Sequence, residues 1–261
     1  MRRLRIGAPP HQRSLRVRDE GESKRPPLVC IHGAGSSSVL FMDVVRRLSP
    51  ERRVVAPDLP GHGQSDRWHA ADDVSIDMYR DAVGSVCATL KLERAVLMGH
   101  SMGALVALAA AATWPERVAG LVLVNGGARL PVAPEVLVRL TGDFARFGKW
   151  LSRLTWSPTT PLDVVERWGA VALTADADIT LADFRAVDRF DGEPLLPRVK
   201  TPTLVLAGAD DLMTPPALSL ALARGIRGAR AIVVPEAGHM LMQEAPERFF
   251  AELEAFLISS I

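Results

Sequence analysis

One serine of this chain stands between two glycines, at the point where a strand-like segment gives way to a helix-forming one. The segment reads Gly99-His100-Ser101-Met102-Gly103, with a short apolar run before it at 94–98 and an alanine-rich run after it at 102–114. A turn this sharp holds its central residue in a strained backbone conformation, and only glycines let the strand and the helix approach so closely. We therefore expect the Ser101 hydroxyl above the end of a sheet, at a helix N-terminus whose N–H groups face developing negative charge.

Length and composition limit what can surround this turn. The chain has 261 residues, of which 48% are hydrophobic and 23% charged, and its formal net charge is +1. These values are typical of one folded α/β domain and favour no nucleic-acid partner. The first 27 residues carry eight Arg or Lys against three Asp or Glu, and we interpret this bias as a solvated surface hairpin.

The sequence predicts neither a membrane span nor export. The longest apolar run, 104–112, is too short to cross a bilayer. The basic segment Arg2-Arg3-Leu4-Arg5 is followed by Gly-Ala-Pro-Pro instead of an apolar stretch, which argues against a signal peptide. Two cysteines, Cys30 in an apolar strand and Cys87 on a helix, predict neither a disulfide framework nor a metal site. We therefore expect a cytoplasmic protein with no metal or organic cofactor.

Short apolar segments alternate with helix-forming segments along most of the chain. This alternation predicts an α/β fold with a mostly parallel, eight-stranded sheet and helices on both faces. An antiparallel hairpin is expected to begin the sheet, with its turn at 8–11. Ser75 is expected to cap a helix that runs to about Leu90. The expected strands are 2–6, 14–19, 27–31, 53–56, 94–98, 118–124, 203–207 and 231–234.

Residues from about 129 to 197 interrupt this alternation and are predicted to be helical. One helix is expected over about 133–149, a second capped by Thr160 with Pro161 at its first position, and a third capped by Thr180 with Asp183 at its third position. The segment holds seven of the fourteen aromatic residues, which suggests a lid over a pocket. A small satellite core is the simpler alternative for most of these rings.

The chain also offers the groups that a nucleophilic serine requires. A serine hydroxyl needs a base, the base needs an orienting acid, and the oxyanion needs hydrogen-bond donors. The candidate base is His239 and the candidate acid is Asp211, with adjacent Asp210 as the alternative; both loops follow predicted strands, where open α/β sheets bind ligands. The candidate oxyanion donors are the backbone N–H groups of Met102 and Ala34.

Six motifs, in order and over nearly the whole chain, resemble those of the α/β-hydrolase-fold superfamily. The resemblance implies a core formed by 1–128 and 196–261, a helical cap formed by 129–195, and Asp211 as the acid, because the family places it three residues after the glycine at 208. The motifs are His32-Gly33-Ala34-Gly35, the turn from Asp58 to Ser65, Gly99-His100-Ser101-Met102-Gly103, the segment from Leu196 to Leu206, the loop from Gly208 to Pro215, and Gly238-His239.

Departures from other branches of the superfamily narrow the expected chemistry. Related epoxide hydrolases and haloalkane dehalogenases use an aspartate where this chain has Ser101, and carbon–carbon bond hydrolases often carry a tryptophan where it has Met240. The resemblance therefore implies a capped serine hydrolase, similar to small bacterial carboxylesterases and lipases. It would cleave small to medium apolar esters through an acyl-enzyme intermediate.

Three alternatives remain open at this stage. A carbon–carbon bond hydrolase of the same fold and a ligand sensor with residual hydrolysis would both retain Ser101, Asp211 and His239. A dinucleotide-binding oxidoreductase would use the glycines at 33 and 35 and the acid at Asp58, but its third glycine is missing.

Overall fold

The computed structural model describes residues 1–7, 12–22, 24–68 and 73–261. The predicted turn at 8–11 lies outside the described residues. The described part contains the eight expected strands, and their limits agree with the predicted ones to within about two residues. The strands are β1 (Arg2–Ile6), β2 (Arg13–Glu20), β3 (Leu28–Ile31), β4 (Val54–Pro57), β5 (Ala95–His100), β6 (Val118–Val124), β7 (Thr203–Gly208) and β8 (Arg230–Val234).

All eight strands form one sheet in the order β1-β2-β4-β3-β5-β6-β7-β8. The pairs β1·β2 and β2·β4 are antiparallel, and every later pair is parallel. The prediction of a mostly parallel, eight-stranded sheet is therefore confirmed. Since β3 and β5 to β8 run in the same direction, the loops that follow them meet at one edge of the sheet.

Helices connect these strands and fill the segment between β6 and β7. Ser75 accepts a hydrogen bond from the Met78 N–H at 3.2 Å and caps α2, as predicted. Within the described residues no helix combines the length and apolar character that crossing a bilayer requires. The α-helices are α1 (Met42–Leu48), α2 (Ile76–Thr89), α3 (Met102–Thr113), α4 (Pro134–Leu140), α5 (Phe144–Thr155), α6 (Leu162–Ala172), α7 (Ala177–Arg189), α8 (Pro216–Gly225), α9 (Leu241–Glu244) and α10 (Pro246–Ser259).

The two faces of the sheet bury separate apolar clusters. On one face α2, α3 and α8 contribute side chains such as Val83, Leu105 and Leu222. On the other face α1 and α10 contribute side chains such as Val44 and Leu253. Residues 102–112 of α3 are all buried, because this helix lies against the sheet on one side and other helices on the other. The position of the α3 N-terminus is therefore fixed by packing on all sides.

The segment between β6 and β7 differs in detail from its predicted helices. The single helix expected over 133–149 is divided into α4 and α5, because Asp143 caps a new helix by accepting a hydrogen bond from the Arg146 N–H at 3.0 Å. Pro161 occupies the N-cap position of α6 without a side-chain cap, so the prediction for Thr160 is wrong. The Thr160 hydroxyl instead lies 2.5 Å from Glu244 Oε2.

The predicted start of the last helix in this segment is also wrong. Asp176 caps α7 by accepting a hydrogen bond from the Ile179 N–H at 3.0 Å, one turn before the expected cap at Thr180. Asp176 and Thr180 are both short polar residues, and each is followed by an acid, Asp178 and Asp183 respectively. The local pattern alone therefore favours neither residue as the cap. Asp183, expected at the first turn, therefore lies inside α7, where it is completely buried.

The two glycines of the serine turn bring α3 against the sheet. A Cβ atom at Gly103 would overlap the carbonyl oxygens of Ile31 and His32, and a Cβ atom at Gly99 would overlap the carbonyl oxygen of Gly103. These neighbours are backbone atoms, which cannot move aside as the end of a flexible side chain can. The close approach of β3, β5 and α3 therefore depends on glycine at both positions.

We expect Gly103→Ala to lower the free energy of unfolding by about 1–3 kcal/mol or more, because overpacked cores lose that much. The matched control is Gly169→Ala in α6, where no atom lies within 4 Å of an added Cβ. There the change should raise the free energy of unfolding by roughly 0.5–1 kcal/mol, because alanine favours the helix. Urea unfolding of both variants tests this, and equal effects would contradict it.

Candidate active site

Ser101 lies at the sharp turn between β5 and α3. Its backbone has φ 55° and ψ −120°, a conformation that residues with a side chain rarely adopt. Its N–H donates a hydrogen bond to the Val124 carbonyl at 3.0 Å, which fixes the turn to the end of β6. The residue is partly exposed, whereas nearly all of its neighbours in the turn are buried. The structure thus contains the strained serine turn that the sequence predicts.

Backbone strain is concentrated at the same edge of the sheet. Among the described non-glycine residues, positive φ occurs at Lys91, Ser101, Asn125 and Glu236. The last three follow β5, β6 and β8 respectively, so three strands end in a strained residue at this edge. Strained residues persist only where the surrounding structure holds them, and they cluster at functional sites. This edge is therefore the candidate active site.

His239 and Asp211 contact each other in the loops after β8 and β7. His239 Nδ1 lies 2.8 Å from Asp211 Oδ2, and the two residues are 4% and 2% exposed. Asp210, the alternative acid, does not take this place, since its Oδ2 accepts a hydrogen bond from Ser157 Oγ at 2.6 Å. Of the two adjacent carboxylates, Asp211 is thus the one beside the histidine.

The Asp211 carboxylate is surrounded by donors. Oδ1 accepts from the backbone N–H groups of Met213 and Thr214 at 2.9 and 2.8 Å. Oδ2 lies 2.6 Å from Thr214 Oγ1 and 2.6 Å from Asn125 Nδ2. Burial alone would raise the pKa of Asp211, but His239 and the Thr214 donors outweigh it and lower the pKa to about 2. Asp211 is therefore an ionised, fixed acceptor for the His239 Nδ1–H.

The two predicted oxyanion donors belong to the backbone that borders Ser101. Met102 is the first residue of α3, where helical N–H groups have no partner within the helix. Ala34 follows β3 in the loop of residues 32–35, which we call the oxyanion loop after the role that the sequence predicts for Ala34. This loop approaches the serine closely, because a Cβ added at Gly33 would lie 3.1 Å from Ser101 Cβ.

A family model described as "Alpha/beta hydrolase family" matches residues 28–253, which is most of the chain. This chain belongs to the alpha/beta hydrolase family. The match begins at β3 and ends within α10, so it includes the serine turn, both loops of the Asp211–His239 contact, and the helical segment between β6 and β7.

Relatives with known names agree with this assignment. A pimeloyl-[acyl-carrier protein] methyl ester esterase of Neisseria meningitidis is 31% identical over 247 residues, covering 87% of this chain and 91% of the relative. A thermophilic esterase from Thermogutta terrifontis superimposes with a TM-score of 0.88 at 28% identity, covering 100% and 99% of the two chains. An enol-lactonase from Burkholderia xenovorans superimposes with a TM-score of 0.86 at 27% identity, covering 95% and 97%.

Asn125 supports the candidate site of this alpha/beta hydrolase and was missed by the sequence analysis. Its Nδ2 donates to Asp211 Oδ2 at 2.6 Å and to the Gly238 carbonyl at 3.1 Å. One side chain therefore contacts both the loop that carries Asp211 and the loop that carries His239. The only sequence signal was its position directly after β6, at the same sheet edge as the candidate triad. An asparagine before two glycines otherwise predicts an ordinary turn.

Two buried histidines hold the loops of the site. His32 Nε2 accepts a hydrogen bond from the Leu59 N–H at 3.0 Å, and its Nδ1 lies 2.9 Å from the Gly33 carbonyl, so the ring joins the oxyanion loop to the loop after β4. His100 Nε2 lies 2.8 Å from the His239 carbonyl. Burial lowers the pKa of both rings to about 3, so both are neutral at pH 7.

A third buried histidine contacts Asp183, which the sequence predicts in the first turn of a helix. His62, which belongs to the turn from Asp58 to Ser65, lies 2.8 Å from Asp183 Oδ2, and both side chains are buried. Burial lowers the pKa of His62, but the Asp183 charge and hydrogen bond outweigh it, and the net shift is upward. In the described part of the chain no group of three His, Cys, Asp or Glu side chains is arranged to hold a metal ion.

The lowered pKa of His100 predicts a specific pH dependence of stability. In the unfolded chain its pKa is about 6.5, so between that value and about 3 the unfolded state binds a proton that the folded state does not. Stability is thus fully present above pH 6.5 and falls as the pH falls. We expect His100→Gln, which cannot titrate, to lose about 1.4 kcal/mol less per pH unit than wild type between pH 6 and 4. Urea unfolding at several pH values measures this, and parallel curves would contradict it.

Proposed function

We propose that this protein hydrolyses carboxylic esters through an acyl-enzyme intermediate on Ser101. The observation that carries the proposal is the buried contact between His239 Nδ1 and Asp211 Oδ2 at the sheet edge where the strained Ser101 lies. Two of the relatives named above are esterases and the third is an enol-lactonase, and a lactone is a cyclic ester. The family membership and the site chemistry thus favour the same reaction.

The reaction would proceed by two acyl transfers. Ser101 Oγ attacks the ester carbonyl while His239 accepts its proton on Nε2, because Nδ1 already donates to Asp211. The Asp211 carboxylate holds this tautomer and stabilises the imidazolium. The imidazolium then protonates the leaving alcohol, and the acyl group remains on Ser101. A water molecule then attacks the acyl carbonyl while His239 accepts its proton. The bond between the acyl carbon and Ser101 Oγ breaks, His239 returns the proton to Oγ, and the acid is released.

Negative charge develops on the carbonyl oxygen in both tetrahedral intermediates. We assign its stabilisation to the Met102 and Ala34 backbone N–H groups, one at the start of α3 and one in the oxyanion loop. Fixed backbone donors need no reorganisation as the charge forms, and losing one typically costs about 10²–10³-fold in kcat. The positive end of the α3 dipole acts in the same direction.

Residues 129–195, which we call the cap, would cover this site and select the substrate. The cap contains an apolar cluster of Leu140, Phe147 and Phe184. Ala34 of the oxyanion loop and Met213, in the loop that carries Asp211, pack against this cluster. The cap therefore places apolar side chains against one residue of the oxyanion loop and one residue of the loop that carries Asp211. We infer that the preferred substrate carries a small to medium apolar group, for which an apolar wall provides burial.

Replacing the nucleophile should abolish turnover. We expect Ser101→Ala to lower kcat for p-nitrophenyl esters by about 10³-fold or more, because triad residues act as a unit. The measurement is p-nitrophenol release from acetate, butyrate, octanoate and palmitate esters by wild type and variant. A maximum at a short or medium chain would agree with the apolar cap cluster. Equal rates for wild type and Ser101→Ala would reject the ester-hydrolase proposal.

The two adjacent aspartates offer a matched comparison. Asp211→Asn should lower kcat by about 10³-fold or more, because the amide cannot hold His239 in the required tautomer and orientation. Asp210→Asn removes the charge of a carboxylate that contacts Ser157 and not His239, and it keeps an amide oxygen that can accept from the Ser157 hydroxyl, so kcat should change by less than about threefold. Both are measured with the ester that gives the highest rate. The reverse ranking would show that Asp210 is the acid.

A further inference from the structure

A buried carboxylate of the cap binds the oxyanion loop directly. Asp183 lies in the middle of α7 and is 0% exposed. Its Oδ2 accepts a hydrogen bond from the Gly35 N–H at 2.8 Å and lies 2.8 Å from His62 Nε2. Its Oδ1 accepts from the Tyr79 hydroxyl at 2.5 Å. Three donors from three separate parts of the core therefore meet on one side chain of the cap.

The partners of His62 define the charge of this cluster. Its Nδ1 lies 3.1 Å from the Pro60 carbonyl and its Nε2 lies 2.8 Å from the Asp183 carboxylate. Both neighbours are acceptors, so the geometry favours a proton on both ring nitrogens, and the net upward shift of the His62 pKa, in which burial is outweighed by the Asp183 charge and hydrogen bond, agrees with this. In this protonation state Asp183 and His62 form a buried ion pair. Removing one partner of such a pair leaves a buried charge without compensation, so the contact resists rearrangement.

Both backbone polar groups of Gly35 form hydrogen bonds with the cap. The Gly35 N–H donates to Asp183, and the Gly35 carbonyl accepts from the Thr174 and Ala175 N–H groups at 2.7 and 2.8 Å. Gly35 has φ +66°, and a Cβ there would meet Leu173 Cδ1 at 2.5 Å. Cap backbone and side chains therefore fix the conformation of the residue that directly follows Ala34.

We propose that Asp183, held by His62 and Tyr79, is a positioning residue that fixes the oxyanion loop against the cap and so orients the Ala34 N–H toward the reacting carbonyl oxygen. This inference rests on the proposed ester hydrolysis. Asp183 is fully buried, which keeps it from the substrate, and its hydrogen-bond partners are Gly35, His62 and Tyr79 instead of Ser101, Asp211 or His239. It acts through Gly35, the next residue after the donor, and thereby makes stabilisation of the oxyanion depend on the docked cap.

A positioning role and a purely structural role predict different kinetics. A loss of packing alone would lower the folded fraction or loosen substrate binding, and it would leave kcat per folded molecule unchanged. A misdirected oxyanion donor lowers transition-state stabilisation, so kcat falls while KM changes little. The tetrahedral adducts of Ser101 should weaken together with kcat, because they use the same donors.

The test compares Asp183→Asn with Asp178→Asn, an exposed acid at the start of the same helix. The amide keeps the shape of the carboxylate but presents an N–H group to one of its three donors. With p-nitrophenyl butyrate we expect Asp183→Asn to lower kcat by about 10- to 100-fold, a part of the loss of a whole oxyanion donor. KM should change by less than about threefold, and Asp178→Asn should match wild type.

Labelling of Ser101 by a fluorophosphonate supplies a second readout that needs no ester substrate. Ser101 Oγ forms a bond to phosphorus, fluoride leaves, and His239 takes the proton, with the phosphoryl oxygen in the place of the oxyanion. The labelling rate should fall in Asp183→Asn in parallel with kcat. If wild type labels but shows no Ser101-dependent ester turnover, the proposed function fails, and the labelling rates still decide the role of Asp183.

Circular dichroism establishes that each variant is folded at the assay temperature. If Asp183→Asn is not folded, Tyr79→Phe replaces it, because this change removes one donor to Oδ1 and leaves the ion pair with His62. We expect Tyr79→Phe to lower kcat and the labelling rate by about 3- to 10-fold at unchanged KM. An unchanged kcat and labelling rate in a folded variant, or a rise in KM alone, would overturn the proposal.

Discussion

The close approach of α3 to the sheet is the constraint on which the rest of the site depends. Ser101 can lie in its strained turn only because Gly99 and Gly103 let the backbones of β3, β5 and α3 come together. The strained conformation is maintained by the packing of α3, whose residues 102–112 are all buried. The same approach brings the oxyanion loop after β3 next to the serine. Packing energy in the core thus determines the geometry at the sheet edge.

Parallel strands explain why residues far apart in the chain meet at that edge. Ser101 follows β5, Asn125 follows β6, Asp211 follows β7 and His239 follows β8, and neighbouring parallel strands place their following loops side by side. Because of this arrangement Asn125, which follows β6, donates hydrogen bonds both to Asp211 and to the Gly238 carbonyl. The acid and the histidine are therefore held by a third strand as well as by each other.

Much of this arrangement can be predicted from sequence, because it depends on local patterns. The strands are short apolar runs bounded by turn residues, and the loops with Ser101, Asp211 and His239 follow them directly. The helix limits of the cap were less predictable, because Asp176 and Thr180 are both acceptable caps. The contacts of Asp183 could not be predicted, because its partners Gly35, His62 and Tyr79 lie more than 100 residues away in sequence. Periodicity and capping rules contain no information about such contacts.

The chemistry of the cap contact explains why a charged residue occupies it. An apolar side chain at position 183 would avoid the desolvation of a carboxylate and an imidazolium, but it would leave the Gly35 N–H and the Tyr79 hydroxyl buried without acceptors. Apolar contacts also tolerate sliding, whereas three donors converge on one carboxylate in only one position of α7. We infer that the ion pair sets the register of the cap on the core. Because Ala34, the proposed oxyanion donor, directly precedes Gly35, the proposed hydrolase would set the register of the cap and the geometry of its catalytic groups through the same contact.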